Sequence, residues 1–110
     1  MNNRNEGVYV MQVAANLTGM HPQTLRKYER EGLLAPSRRY MARLYSDEDI
    51  DRLKMIKQLV DEKGLNIAGI KLFLRIRDKL LEMKDMIASA SVGEELEKTL
   101  ISMIDELLEI

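Results

Sequence analysis

A short basic segment, residues 23–30, carries the side chains with the clearest chemistry in this sequence. Arginine can hydrogen-bond a guanine edge or a phosphate through two parallel N–H groups, and glutamine can pair with adenine in the same way. Hydroxyl groups and lysine suit phosphate. The segment offers Gln23, Thr24, Arg26, Lys27, Tyr28 and Arg30. It therefore predicts a surface for double-stranded DNA, with an ordinary basic surface helix as the alternative.

The same segment has the start and stop signals of a helix. Pro22 suits the first helical position, and Gly32 suits a left-handed residue just past the end. Leu25 and the ring of Tyr28 form a short apolar face. Leu25 is therefore expected in the core, whereas Tyr28 is either a core residue or a DNA contact.

Another helix is predicted directly before this one. Residues 11–18 have helical apolar spacing, Gly19 ends them, and Met20 is placed to fill the turn that follows. Two helices joined in this way form a helix-turn-helix, whose second helix enters the major groove of DNA.

The segment after the basic helix predicts a two-stranded hairpin, or wing. Bulky and basic residues alternate there, and Met41 and Ala42 are left to form its turn. Arg39 and Arg43 are the best candidates for contacts with DNA, followed by Arg38, Tyr40 and Tyr45. Packing beneath the wing is the alternative for Tyr45, and a solvated basic loop is the alternative for the wing.

The sequence contains little that could support catalysis or metal binding. His21 is the only histidine and cysteine is absent, so a metal site lacks ligands and thiol chemistry is excluded. His21 is instead expected to cap or flank the basic helix close to DNA. Paired acids, such as Asp47 with Glu48, lie at helix ends without a nucleophile. We therefore expect no enzymatic activity, no cofactor and no metal.

The net charge of −1 conceals an uneven distribution. Residues 1–45 hold seven Lys or Arg against three acids, residues 46–93 hold nine of each, and residues 94–110 hold one Lys against six acids. Exposed charges act over about 8–10 Å at physiological salt, so the basic first part can attract phosphate despite the acidic end. With no apolar run of about 18 residues and no visible signal peptide, we expect a cytoplasmic protein without a membrane segment.

The rest of the chain predicts further helices. Ser46 and the three acids that follow it suit a helix start, and Asn66 can cap another helix. We therefore expect a mainly α fold in three parts. These are a disordered N-terminus at residues 1–7, a winged helix-turn-helix domain at residues 8–76, and a dimerisation helix followed by a C-terminal helix at residues 77–110.

Two apolar stripes with coiled-coil spacing run along the C-terminal helices. Because little else in the chain can cover both, we expect a homodimer, although the stripes could also cover each other in a hairpin. Their members are Leu72, Ile76, Leu80, Met83 and Ile87, then Leu96, Leu100, Met103 and Leu107.

In combination, these motifs resemble the MerR family of transcription regulators. TLRKYEREGLLAP at residues 24–36, RLYS at residues 43–46 and DEDIDRLKMIKQL at residues 47–59 stand in that family's order. The resemblance covers about residues 9–76. The wing departs from the pattern, because it lacks the glycine that family wings often carry in the turn.

Two stretches resemble particular branches of the family. AANLTGMHPQTLRKYEREGLL at residues 14–34 and GLNIAGI at residues 64–70 are similar to the heat-shock repressor branch, HspR. GLNIAGIK is also similar to the glutamine-synthetase repressor branch, GlnR, so this second stretch does not separate the two.

The resemblance implies a function and partners. Thr24, Arg26, Lys27 and Tyr28 would face DNA, and two copies would bind an inverted repeat. The protein would repress chaperone genes with the chaperone DnaK as co-repressor. The acidic last helix would then either meet such a partner or close the dimer. The alternatives are a GlnR-like nitrogen regulator and, from another class, a protein-binding adaptor or antitoxin-like module.

Overall fold

The computed structural model describes residues 3–39 and 42–109, and a mainly α fold is confirmed. Its helices and strands follow the order predicted for a winged helix-turn-helix followed by long helices. They are β1 Tyr9–Val10, α1 Met11–Thr18, α2 Pro22–Arg30, β2 Ser37–Arg39, β3 Ala42–Tyr45, α3 Asp47–Lys63, α4 Ile67–Ser89 and α5 Glu94–Leu108. The chain divides between residues 70 and 71 into two compact units.

The predicted turn between α1 and α2 is confirmed. Gly19 ends α1 with a left-handed backbone (φ 68°), a conformation that residues with a Cβ rarely adopt. Thr18 donates its hydroxyl to the carbonyl oxygen of Ala14 at 2.8 Å. Ala14 and Ala15 are buried, and so is Met20 in the turn. The small side chains of Ala14 and Ala15 let α1 lie close to its neighbours.

A small sheet holds the wing. β3 is its central strand, with β2 on one side and β1 on the other, and both pairings are antiparallel. The β2–β3 hairpin is the predicted wing, and Ala42 is the first residue of β3. Ala42 was predicted to form the wing turn with Met41, but it instead pairs with Arg39 as part of the hairpin. Tyr40 and Met41 lie outside the described residues. Val8, Tyr9 and Val10 are residue types that favour strands, so a short β-prone run is predictable there, but the pairing of β1 with β3 was not predicted.

The segment before β1 lies against the wing and α3. At Gly7 a Cβ would come within 2.8 Å of the Leu44 carbonyl oxygen and 3.1 Å of the Ser37 Cβ, so a larger side chain does not fit. The Arg4 side chain forms an ion pair with Asp51, and the Arg4 backbone carbonyl accepts a hydrogen bond from the Glu48 amide. Composition had predicted disorder for residues 1–7, and within that range Arg4 and Gly7 make these contacts.

A hydrogen-bonded cap begins α3. The Ser46 hydroxyl accepts a hydrogen bond from the Asp49 amide at 2.9 Å, and the Asp49 carboxylate accepts one from the Ser46 amide at 3.0 Å. This reciprocal pair satisfies two amides that the helix ladder leaves unbonded. Asp47 also accepts a hydrogen bond from the Tyr9 hydroxyl at 2.6 Å, and this bond raises the pKa of Tyr9. This hydrogen bond connects the start of α3 to β1.

The second unit consists of α5 and the part of α4 after residue 70. Lys84 of α4 forms an ion pair with Asp105 of α5 at 2.9 Å, and Ile104 is buried. Most of the two predicted apolar stripes nevertheless stays at least half exposed: Leu72, Ile76, Met83, Leu96, Met103 and Leu107. Leu80, Ile87 and Leu100 are partly buried. Contact between the two helices therefore leaves much of both stripes uncovered in a single chain.

Within the described residues, no helix has the length and apolar character needed to cross a lipid bilayer.

Replacing Ser46 with alanine tests the cap. We expect Ser46→Ala to lower the free energy of unfolding by about 1 kcal/mol, because the Asp49 amide loses its partner at a buried position. Urea unfolding followed by circular dichroism measures this change. Ser102→Ala, at an exposed position within α5, is the control and should have little effect. Equal effects of the two substitutions would contradict the assigned cap.

Candidate nucleic-acid interface

The outward face of α2 gathers the predicted DNA-binding side chains. Leu25 is fully buried and Tyr28 is 7% exposed, so both turn toward the core. The exposed side chains follow at i, i+3, i+4 and i+7, which places them on one face of a helix. They line a shallow polar groove together with the half-buried Thr24: Gln23, Thr24, Arg26, Lys27 and Arg30.

This groove combines the groups needed for two kinds of DNA contact. Arg26 and Gln23 offer planar, two-pronged hydrogen bonding, which suits guanine and adenine edges respectively. Lys27 and Arg30 offer positive charge, and Thr24 offers a hydroxyl, all of which suit phosphate. Side chains that can read bases and side chains that can hold the DNA backbone therefore lie on the same exposed surface.

His21 is the residue that caps α2. Its backbone is extended, and its Nδ1 accepts a hydrogen bond from the Gln23 amide at 3.0 Å. A ring nitrogen that accepts in this way carries no proton, so the proton of the neutral ring lies on Nε2. The ring is exposed next to Gln23. His21 thus fixes the start of the helix and presents an N–H donor beside the polar groove.

The wing arginines are bound by an acid that the sequence reasoning did not single out. The Glu29 Oε1 accepts from Arg38 Nη2 at 2.6 Å, and the Glu29 Oε2 accepts from Arg43 Nε at 2.6 Å. The Arg38 side chain remains 56% exposed, whereas that of Arg43 is 34% exposed and that of Glu29 is 16% exposed. Arg38 is therefore the more accessible of these two wing cations.

Arg39 lies in β2 opposite Ala42, and its backbone pairing is the only part of it that the structure describes. Tyr40 falls outside the described residues. That Arg39 and Tyr40 contact DNA stays a prediction.

Two predicted DNA contacts have buried side chains, which favours the packing alternative for each of them. Tyr28 turns toward the core beside Leu25, as its alternative interpretation held. Tyr45 is 0% exposed, and its hydroxyl has no hydrogen-bond partner among the described residues. Burial raises the pKa of Tyr45, and the nearby Glu29 carboxylate raises it further. Tyr45 therefore packs beneath the wing and supports it.

A further arginine secures the loop behind the groove. Arg52 of α3 donates its Nε–H to the Leu33 carbonyl oxygen at 2.6 Å, and Leu33 is itself buried. Glu29 and Arg52 were not predicted as site residues. The one available signal for Glu29 was an acid inside an otherwise basic helix, and nothing local marked Arg52.

Within the described residues, no group of three or more histidine or acidic side chains could hold a metal ion.

A basic helix behind a tight turn, with an arginine-bearing wing beside it, defines a winged helix-turn-helix domain. The chain belongs to the MerR HTH family of regulatory proteins, whose family model matches residues 9–75. Because this is a family of regulators, the expectation that the protein is not an enzyme is confirmed.

Three relatives show where in the family the chain lies. It is 45% identical over 78 residues to heat shock protein HspR of Streptomyces coelicolor, over 70% of this chain and 52% of that protein. It is 35% identical over 80 residues to the transcriptional regulator GlnR of Bacillus anthracis, over 72% of this chain and 61% of GlnR. It is 38% identical over 69 residues to the regulator MlrA of Escherichia coli, over 61% of this chain and 28% of MlrA.

The predicted resemblance to the HspR branch is confirmed by the first of these similarities. The chain spans about half the length of that relative and less than two thirds of the other two.

Replacing Tyr45 with phenylalanine tests whether Tyr45 packs beneath the wing or contacts DNA. The hydroxyl is buried without a partner among the described residues, so removing it should leave the free energy of unfolding unchanged or raise it by up to about 1 kcal/mol. DNA affinity should not change. Tyr9→Phe is the control, because its hydroxyl donates to Asp47, and it should destabilise the protein. Weaker DNA binding by a stably folded Tyr45→Phe variant would restore Tyr45 as a contact.

Proposed function

We propose that this protein is a sequence-specific DNA-binding transcriptional regulator that represses heat-shock genes as a dimer on an inverted repeat. The observation that carries the proposal is the outward face of α2. Burial of Leu25 and Tyr28 leaves Gln23, Arg26 and Lys27 exposed together behind a tight turn. Such a helix fits the major groove, where each base pair presents a distinct pattern of donors, acceptors and methyl groups.

The proposed DNA contacts fall into two groups. Arg26 and Gln23 read base edges, and His21 contributes its outward N–H donor at the start of the helix. Thr24 and Lys27 bind phosphate and hold the helix in register, because backbone contacts position a protein without specifying sequence. The wing adds contacts through Arg38, Arg39, Tyr40 and Arg43.

A dimer is proposed from the two apolar stripes of the second unit. Leu72, Ile76, Met83, Leu96 and Leu107 are each at least half exposed, which is unfavourable in water. Burying them against a second chain would place two copies of α2 about a twofold axis. Such a pair fits inverted half-sites separated by about one turn of DNA, roughly 34–36 Å.

Similarity to a protein named as a heat shock protein supports stress genes as the target. A co-repressor role for the chaperone DnaK is proposed with it, and the acidic α5 is either its docking site or part of the dimer. The lower similarity to GlnR keeps nitrogen genes as a second candidate target. An adaptor or antitoxin-like role is less well supported, because it does not require the exposed base-reading side chains of α2.

Footprinting of purified protein on upstream regions tests the proposal. Protection of an inverted repeat upstream of chaperone genes supports heat-shock repression, and protection upstream of nitrogen genes supports the GlnR-like alternative. Added DnaK should strengthen protection if it is the co-repressor. The absence of specific protection even at low salt would contradict both regulator assignments.

Alanine substitutions at Arg26 and Lys27 should change DNA binding in different ways. Arg26→Ala should weaken binding to the preferred site by about 1–3 kcal/mol and relax sequence preference at one base pair. Lys27→Ala should weaken binding to all sequences alike and reduce the slope of log K against log salt by about one. Affinity measured over a salt series on specific and unrelated duplexes separates these effects.

Lys98→Ala, an exposed cation of α5, is the control for charge removal and should change neither quantity. Identical behaviour of the Arg26 and Lys27 variants would contradict the assigned division between base and phosphate contacts.

Replacing Met83 tests the dimer. Met83 is half exposed in the single chain, so Met83→Lys should preserve helix content but convert the dimer to monomer at micromolar concentration. Glu82→Lys, which places the same side chain one position away on an exposed surface, is the control and should leave the dimer intact. Analytical ultracentrifugation measures both. A wild-type protein that sediments as a monomer would exclude the dimer.

A further inference from the structure

Two wing arginines face each other across the hairpin. Arg38 of β2 pairs directly with Arg43 of β3, so their side chains emerge on the same side of the sheet. Like charges in this position repel and should destabilise the hairpin. An opposite charge between their guanidinium groups would offset this repulsion.

Glu29 of α2 provides that charge. One carboxylate oxygen accepts a hydrogen bond from Arg38 and the other from Arg43, both at 2.6 Å. Hydrogen bonds between ionised groups are stronger than those between neutral groups, and a carboxylate with one donor on each oxygen cannot turn without losing one of them. Since Glu29 is 16% exposed, water can replace these partners only in part. A single side chain of the recognition helix thus binds both strands of the wing.

The two arginines are not held equally. Arg43 is bound through Nε, and its side chain is one third exposed, so it is partly packed in place. Arg38 is bound through a terminal Nη2, and its side chain is more than half exposed. A phosphate that approaches the wing therefore competes with Glu29 more readily for Arg38 than for Arg43.

We propose that Glu29 is a positioning residue that fixes the wing to the recognition helix and thereby sets how strongly the protein prefers its operator to unrelated DNA. Glu29 anchors Arg43 through its Nε, which leaves the terminal nitrogens of Arg43 for its proposed DNA contact, and Glu29 releases Arg38 to a DNA phosphate. This inference rests on the proposed DNA-binding function. It adds a role for an acid on a surface that attracts DNA by positive charge.

The test uses the full chain with Glu29→Gln, which keeps the size and one acceptor oxygen of the side chain but removes its charge. Affinity is measured over a salt series on the footprinted operator and on an unrelated duplex. The ratio of the two affinities should fall about fivefold, equivalent to about 1 kcal/mol for loss of partly exposed ion pairs. Non-specific binding should strengthen, and its salt slope should steepen by about one, because a negative charge near the DNA is gone.

Two further variants assign these changes to the wing. Glu62→Gln makes the same charge change on α3, where the carboxylate accepts a hydrogen bond from Gln58 of the same helix. This control should alter neither the ratio of operator to non-specific affinity nor the salt slope of non-specific binding. Glu29→Gln combined with Arg38→Gln should return the salt slope to the wild-type value without restoring the ratio. A Glu29→Gln variant that weakens both affinities equally, with an unchanged slope, would reduce Glu29 to a purely structural role and overturn the proposal.

Two further readouts distinguish a failure of this inference from misfolding and from a failure of the proposed function. Arg43→Lys preserves charge but loses the Nε contact, so a folded variant should lose operator preference with an unchanged salt slope, and unchanged preference overturns the proposal. In free wild-type protein, the Arg43 Nε–H resonance should be protected from solvent exchange, and Glu29→Gln should abolish that protection. A wild-type protein that prefers no DNA sequence but retains this protected resonance contradicts the proposed function, whereas an unprotected resonance contradicts the ion pair itself.

Discussion

The rotation of α2 about its own axis is the constraint on which the rest of the interface depends. Leu25 and Tyr28 are buried three positions apart, and fully burying a large apolar side chain is worth roughly 1.5–3 kcal/mol. Turning the helix would expose both residues, so the face that carries Arg26 and Lys27 is fixed outward. The capped start at His21 also fixes the end of the helix from which an HTH protein reaches the bases. A basic segment alone is weak evidence for DNA binding. Here the packing of α2 fixes which of its side chains face solvent.

The wing depends on α2 in turn. β3 lies at the centre of the small sheet and carries Tyr45, whose ring is fully buried, and Arg43, which reaches back to Glu29 of the recognition helix. The capped start of α3 follows β3 directly and is joined to β1 by the hydrogen bond from Tyr9 to Asp47. Helix, wing and following helix are therefore connected by short, specific contacts.

Local signals made most of the fold predictable. Pro22, the glycine at position 19 and Ser46 each act through their own or adjacent residues, and all three helix ends formed where their chemistry places them. Leu25 and Met20 were assigned to the core correctly for the same reason. Predictions that depend on residues close in sequence succeeded, because helix caps and turns are local interactions.

The features that were not predicted depend on contacts between residues far apart in the sequence. Glu29 meets arginines nine and fourteen residues later, and no periodicity links them. β1 pairs with β3 more than thirty positions away, so nothing local in the sequence indicated that pairing. β3 has only four residues, too few for alternation alone to show that Tyr45 points inward. The structure therefore added the contacts that hold the wing to α2, and it favoured packing roles for Tyr28 and Tyr45.

The central claim is that the exposed face of α2 reads base sequence. Selection of bound duplexes from a randomised pool tests it most directly, using wild-type protein beside Arg26→Ala. The account predicts an enriched motif with two inverted half-sites, and loss of preference at one base pair of each half-site in the variant. A pool that remains random for the wild type, or a motif that Arg26→Ala leaves unchanged at every position, would contradict it.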